Sequence, residues 1–243
     1  RKQKRILAEQ NTELNRLNQM KNRLFGIISH DLRNASASYQ SGSRIIQYHL
    51  KNGQPEKLIP LSAEIGKNAS NLSSLLENLL EWSAIQMKGL KPDSKTISVR
   101  EEFILQTESL KEMFTAKSNS VEIVSGEETI WCDQGSFRLI LRNLLFNAAK
   151  FTSGGLISLK STTEGNRTII EISDTGCGIP PEIIGNLFEL DMSKTRNGTS
   201  GEKGTGLGLQ LVLEHVTRNN GTIHVRSQEN KGTSFTVKLP NTA

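Results

Sequence analysis

Three clusters of residues in this chain have the types and spacing to handle a phosphate ester. In the run Leu141 to Phe151, the residues Asn143, Asn147 and Lys150 stand at i, i+4 and i+7, which places them on one face of a helix. Amide oxygens there can hold a hard cation such as Mg2+, and an ammonium beside them can offset phosphate charge. The second cluster, Asp174-Thr175-Gly176-Cys177-Gly178-Ile179-Pro180, follows the β-branched run Thr168 to Ile172. It sets a carboxylate at a strand end, able to accept from a base amine, with Gly176 and Gly178 letting backbone approach a ring. The third, Gly204-Thr205-Gly206-Leu207-Gly208, opens a helix predicted from Leu207 to Arg218. Glycine-rich backbone at a helix N-terminus cradles phosphate.

A fourth group lies far upstream, in Phe25-Gly26-Ile27-Ile28-Ser29-His30-Asp31-Leu32-Arg33-Asn34. His30 is two residues from both Ile28 and Leu32, about 200° round a helix from their apolar stripe, so it is predicted to face solvent. An exposed imidazole can be reached by a second domain. Its nitrogen is a nucleophile when neutral, and is aimed when the other nitrogen bonds a carboxylate. Asp31 is the expected orienting base, and Asn34 lies one turn beyond. His49, His215 and His224 have no such company and are read as surface or packing residues.

The elements that must carry these groups can be read from periodicity. Leu7, Leu14, Leu17, Leu24 and Ile28 recur in steps of seven, three, seven and four, the a/d rhythm of a coiled coil, with Lys21 making the seam imperfect. The helical pattern continues to about Leu50 and breaks at Asn52-Gly53-Gln54-Pro55. A second helix is predicted from near Pro60, running through Ile65, Ala69, Leu72, Leu76 and Leu79 until Gly89 and Pro92 stop it. Two antiparallel helices bury too little alone, whereas two copies make a four-helix bundle, so a homodimer is expected. From Pro92 onward helical stretches alternate with β-branched runs, at Val121 to Val124, Leu156 to Lys160, Thr168 to Ile172, Thr222 to Val225 and Ser234 to Leu239. Glu164-Gly165-Asn166 and Glu229-Asn230-Lys231-Gly232 read as hairpin turns. The expected domains are therefore 1–91, a coiled-coil lead-in with a helical hairpin, and 92–243, an α+β sandwich of a mixed or antiparallel sheet backed by helices on one face. The segment Gly185 to Gly206, rich in Gly, Thr, Ser and Lys, reads as a mobile lid.

Composition narrows the function classes. The chain has 243 residues, 35% hydrophobic and 23% charged, and no apolar run approaches the ~20 residues of a membrane span. Its net charge of +5 is accounted for by the first 23 residues, where seven basic residues oppose Glu9 and Glu13. The rest is formally neutral, which excludes a nucleic-acid-binding face. A basic chain start fits equally the cytoplasmic flank of a membrane helix, with a membrane or sensor segment upstream, and a solvated helix end, and a cytoplasmic location is expected. Cys132 and Cys177 lack metal-ligand spacing and are read as reduced thiols.

Any one cluster alone is commonly a turn or a solvated face, but the three in this order resemble the Bergerat-type ATPase domain. That domain is shared by histidine kinases, type II topoisomerases, mismatch-repair ATPases and dimeric heat-shock chaperones. No Walker-type Gly-x-x-x-x-Gly-Lys is present. The box around His30 resembles the phosphoacceptor box of sensor histidine kinases. The resemblance implies ATP and Mg2+ as cofactors, with Asn147 holding the metal, Asp174 reading the adenine amine, and Gly204, Gly206 and Gly208 along the phosphates. Asn143, Lys150, Phe151, Gly176 and Gly178 complete the implied nucleotide set. It further implies autophosphorylation of His30, transfer to a response regulator, and a phosphatase role for Asp31-x-x-Asn34 in which the amide positions water. The family has proline after that asparagine, where this chain has Ala35. Proline bends a helix at a cost of ~3 kcal/mol, so this helix is expected to run straighter and the balance of kinase and phosphatase to differ. Two rival readings are a nucleotide-binding pseudokinase scaffold and a conformational ATPase. The latter lacks the catalytic glutamate its relatives place on the asparagine helix, where this chain has Asn143.

Overall fold

A computed structural model of the chain describes residues 26, 32–33, 36–62, 65–66, 69, 72–73, 76, 92–188, 198–199 and 208–243. The chain divides into two compact units, 1–84 and 85–243. In the first, residues 36–51 are helical and end where the sequence expects. Gly53 takes φ +64°, and the carbonyl of Tyr48 accepts from Asn52 N at 3.1 Å and from its side-chain Nδ2 at 2.7 Å. A 3-10 turn, Pro55–Lys57, follows. Helix resumes at 58, two residues before Pro60, because Pro55 rather than Pro60 supplies the fixed φ that starts the turn. Gly42 is buried where the helices approach, and a Cβ there would stand 3.1 Å from Ile65 Cδ1. Ile45, Tyr48, Leu50 and Ile59 remain exposed on this unit.

The second unit holds the core. Its elements are β1 (Ser94–Ser98), α1 (Val99–Ser109), α2 (Lys111–Ala116), β2 (Ser120–Val124), β3 (Thr129–Asp133), α3 (Gln134–Phe151), β4 (Leu156–Glu164), β5 (Arg167–Asp174), α4 (Pro181–Ile184), α5 (Gly208–Arg218), β6 (Thr222–Gln228) and β7 (Gly232–Pro240). A five-stranded sheet has the order β2-β4-β5-β7-β6, and β1 pairs with β3 in a separate ribbon. Only β2 and β4 run parallel; the other pairs are antiparallel. Both expected hairpins form, at Gly165 with φ +60° and at Asn230 with φ +61°. Their tight turns let the strands extend beyond the β-branched runs that signal them. The ribbon is absent from the sequence reading. β1 is the polar run Ser-Lys-Thr-Ile-Ser, and of it only Ile97 is buried.

Helix α3 is the central packing element. Phe137, Ile140, Leu141, Leu144, Leu145 and Ala148 form its buried stripe at helical spacing. They meet the inward residues of the strands, among them Ile157, Leu159, Ile170, Ile172, Phe235 and Val237. Helices α1 and α5 flank α3, and the outer face of the sheet is polar, with Ser234 Oγ donating to Glu171 at 2.7 Å. Asp133 caps α3 by accepting from Ser136 N at 2.7 Å. Both cysteines are free thiols, and burial pushes that of Cys132 up to about 12.

Candidate functional site

Two of the chemistry-bearing clusters and the last glycine of the third meet along α3. Asn143 and Asn147 are half-buried on its site-facing side. Asn143 Nδ2 donates back to the Leu139 carbonyl at 3.0 Å. Its Oδ1 lies against Gly208, where a Cβ would stand 2.6 Å away. Gly208 opens α5, so this contact sets the N-terminus of that helix directly on Asn143. Lys150 is placed differently from its neighbours: its side chain is buried and its Nζ lies 4.8 Å from the centroid of the Phe151 ring.

The end of α3 is held by three loops, because a helix leaves its last carbonyls without intrahelical partners. The Phe151 carbonyl accepts from Cys177 N at 3.1 Å, and the Lys150 carbonyl from Thr199 N at 3.0 Å. Lys117 Nζ also reaches the Lys150 carbonyl, at 2.8 Å. Beyond them Thr152 is wholly buried, with Asn119 Nδ2 donating to its carbonyl at 3.0 Å.

Asp174 ends β5 beside this junction. Its Oδ1 accepts from Gly176 N at 2.8 Å. Burial outweighs that bond and the one from the Thr233 backbone, and raises the carboxyl above its ordinary range. The Thr152 hydroxyl is near enough to favour the ionised form, yet it makes no hydrogen bond within normal geometry. A buried, unsatisfied hydroxyl beside a half-buried carboxylate has capacity for a ligand. The glycines also permit close approach of the loop to protein backbone. A Cβ on Gly176 would stand 2.3 Å from the Phe151 carbonyl oxygen, and one on Gly178 only 2.1 Å from that of Gln228. They let the loop close onto protein backbone, which fixes Asp174. The β6–β7 turn supports the loop from the other side: Asn230 N donates to the Cys177 carbonyl at 2.8 Å, and Ile179 N to Ser227 Oγ at 2.8 Å.

Sequence spacing did not bring Thr152, Asn119, Lys117, Thr199 or Ser227 into the site. Gly232, with φ +110° and a Cβ position 1.8 Å from the Asp174 carbonyl oxygen, carried a turn signal and nothing more. His30, Asp31, Asn34, Ala35, Gly204 and Gly206 lie outside the described residues. Among the described residues no group of three or more His, Cys, Asp or Glu side chains is placed to hold a metal ion.

A helical unit joined to this sheet-and-helix domain defines a class. Residues 132–243 match the model of the histidine kinase-, DNA gyrase B-, and HSP90-like ATPases and belong to that family. That match and the relatives below support a sensor histidine kinase with a catalytic ATPase domain. It is 29% identical to sensor histidine kinase YclK of Bacillus subtilis over 243 residues, 98% of this chain and 50% of YclK. The chain thus spans about half the length of that curated relative. Its fold is that of the Acinetobacter baumannii histidine kinase AdeS, with a TM-score of 0.69 at 21% identity over 88% of this chain and 98% of AdeS. It also matches the histidine kinase ThkA in complex with the response regulator protein TrrA, with a TM-score of 0.65 at 18% identity over 86% of this chain and 59% of that one. No helix among the described residues is long and apolar enough to cross a membrane.

Proposed function

We propose that the chain is the core of a sensor histidine kinase that phosphorylates its own His30 from ATP and passes the group to a response regulator. The observation that carries this reading is the convergence on α3: Asn143 touches Gly208, and the Asp174 loop is bonded to the Phe151 carbonyl. The resemblance assigns each of these groups to one nucleotide. Asp174 accepts from the adenine amine, with the unsatisfied Thr152 hydroxyl beside it as a further partner. Asn147 is half-buried on the same helix as Asn143, and its amide oxygen is of the type that binds Mg2+. With no carboxylate cluster among the described residues, the phosphates and water would complete the metal's shell. The metal neutralises phosphate charge when bound.

The chemistry needs a neutral His30, oriented by Asp31. An imidazole nitrogen forms a bond to the γ-phosphorus as the bond to the β–γ bridging oxygen breaks, and ADP leaves. The phosphoryl group then passes to a carboxylate of the receiver domain. Asn34 positions water in the reverse, dephosphorylating duty, which the replacement of proline by Ala35 tunes. The hairpin of residues 1–91 pairs with a second copy as a four-helix bundle, covering Ile45, Tyr48, Leu50 and Ile59, while 92–243 forms the catalytic domain. A segment upstream of the basic start anchors the protein at the membrane, with this chain in the cytoplasm.

Incubation with γ-labelled ATP and Mg2+ tests the reading. The wild type takes up one acid-labile, alkali-stable label and His30→Ala takes up none. Label that survives His30→Ala, or hydrolysis with no label in the wild type, overturns it.

A further inference from the structure

Helix α5 packs on α3, and a buried polar seam joins the two where α3 begins. His215 Nδ1 and Ser136 Oγ are 2.9 Å apart, and both side chains are buried. Asn219, also buried, accepts from Asp133 N at 3.0 Å through Oδ1 and donates to the His215 carbonyl at 2.8 Å through Nδ2. Asp133 completes the seam by accepting from Ser136 N at 2.7 Å. Burial first, then Arg218, brings the His215 imidazole down to about 4 against the pull of Asp133, so the ring is neutral at pH 7. Its Nε2 is buried and has no hydrogen-bond partner. A leucine here would avoid that cost, so the bond to Ser136 is what the imidazole adds and apolar packing does not.

The spacing on the two helices matches. Ser136 to Asn143 is seven residues along α3, and His215 back to Gly208 is seven along α5. Each is two turns, about 10.5 Å. Since Ser136 meets His215 and Asn143 meets Gly208, the helices run antiparallel in one register. The apolar contacts of α5, through Leu211, Val212 and Val216, are non-directional and survive a shift along the axis. A buried polar pair does not, and so fixes register. A shift at His215 is a shift at Gly208, where the fit is close: a Cβ on Gly208 would stand 2.6 Å from Asn143 Oδ1. We propose that His215 is a positioning residue for the nucleotide site: its bond to Ser136 sets how far α5 reaches along α3 and so holds Gly208 against Asn143. The inference rests on the nucleotide reading, in which Gly208 lies along the phosphates and Asn143 belongs to the same site.

The test is an equilibrium titration of the full chain with the fluorescent analogue TNP-ATP and Mg2+, beside thermal melts, for wild type, His215→Asn, Ser136→Ala and the double variant His215→Leu/Ser136→Ala. In the double variant both partners are apolar and no ring nitrogen is stranded, so Tm equals or exceeds that of wild type. Its affinity nonetheless falls about three- to ten-fold, the bias that one net hydrogen bond gives between two arrangements. His215→Asn keeps a polar atom at the Nδ1 position and leaves a cavity beyond it, so Tm falls while affinity stays that of wild type. A role in stability alone predicts the opposite order, with affinity following Tm. If the double variant does not fold, Ser136→Ala decides, with the same loss of affinity expected. Wild-type affinity in the variants that lack the bond, or affinity that tracks Tm across the set, overturns the inference and leaves the nucleotide site standing. A wild type that does not bind TNP-ATP overturns both.

Discussion

Asp174 combines a cost to folding with a proposed use in recognition. Its carboxyl is raised by burial, against the bonds from Gly176 N and the Thr233 backbone. The folded chain therefore keeps a proton there to higher pH than the unfolded chain, whose carboxyl titrates near 3.8. Whatever stability the group contributes is present below that pH and lost as pH rises through the folded value. At pH 7 the charge is a net burden on the fold. Asp174→Asn removes the charge and keeps an oxygen that can accept from Gly176 N, so it is expected to be as stable as wild type or more so at pH 7. The gain disappears below pH 3.8. Nucleotide affinity falls about ten- to a hundred-fold, the range for losing a hydrogen bond to a charged group. Urea unfolding at pH 7 and pH 3.5, with a TNP-ATP titration, checks both halves. A variant that binds normally but unfolds more easily at pH 7 contradicts them.

At the scale of elements, α3 was legible because one helix carries two patterns: an apolar stripe from Phe137 to Ala148 and a polar face with Asn143 and Asn147. Both rest on neighbours three or four residues apart, which spacing reports directly. Asp174 was legible at the close of its strand for a similar reason, since a β-branched run followed by two glycines marks the end of pairing. Contacts made across the fold leave no such trace. Lys117 meets Thr199 82 positions away and Ile179 meets Ser227 across 48. Nothing in the neighbourhood of Thr152 marks its hydroxyl as buried beside a carboxylate. The β1–β3 ribbon was missed because its stability comes from Ile97, Ile130 and Cys132 packing on the core rather than from an alternating pattern in β1. The link between α1 and α3 was equally hidden. Arg138 Nε and Nη2 grip Glu102 at 2.9–3.1 Å, and Gln134 Nε2 joins at 2.7 Å. Burial alone raises the Glu102 carboxyl, but the bonds from Arg138 and Gln134 prevail and lower it below 4.5. Its contribution is present above 4.5 and lost as pH falls through the folded value. Arg138→Met strands a buried carboxylate. It is expected to cost about 2 kcal/mol at pH 7, less than the ~3–5 for a fully buried pair because the guanidinium is half in water. The difference shrinks towards pH 3, as denaturation curves at the two pH values can show. An unchanged difference would mean the loss comes from packing alone.

The whole molecule combines a unit with its own core and a helical unit whose described residues leave large apolar side chains exposed. Every buried apolar side chain of the cluster around α3 lies between Ile97 and Leu239, so residues 92–243 are expected to fold alone. The hairpin leaves Tyr48 63% and Ile59 73% exposed, an arrangement that a second copy would relieve. Separation of the parts is therefore informative. Residues 92–243 alone are expected to be a folded monomer by light scattering and to bind TNP-ATP as the full chain does. They are expected to incorporate no label from γ-labelled ATP, because the proposed acceptor His30 is missing. Residues 1–91 alone are expected to be dimeric and to take up nothing. Mixed with 92–243, ATP and Mg2+, the 1–91 fragment acquires acid-labile label, slowly, since joining the units on one chain supplies a local concentration that free fragments lack. Raising the concentration of 92–243 should raise the rate in proportion. Label on 92–243 itself would place the acceptor in the wrong unit, and a monomeric 1–91 would remove the reason for reading its exposed apolar face as a dimer surface.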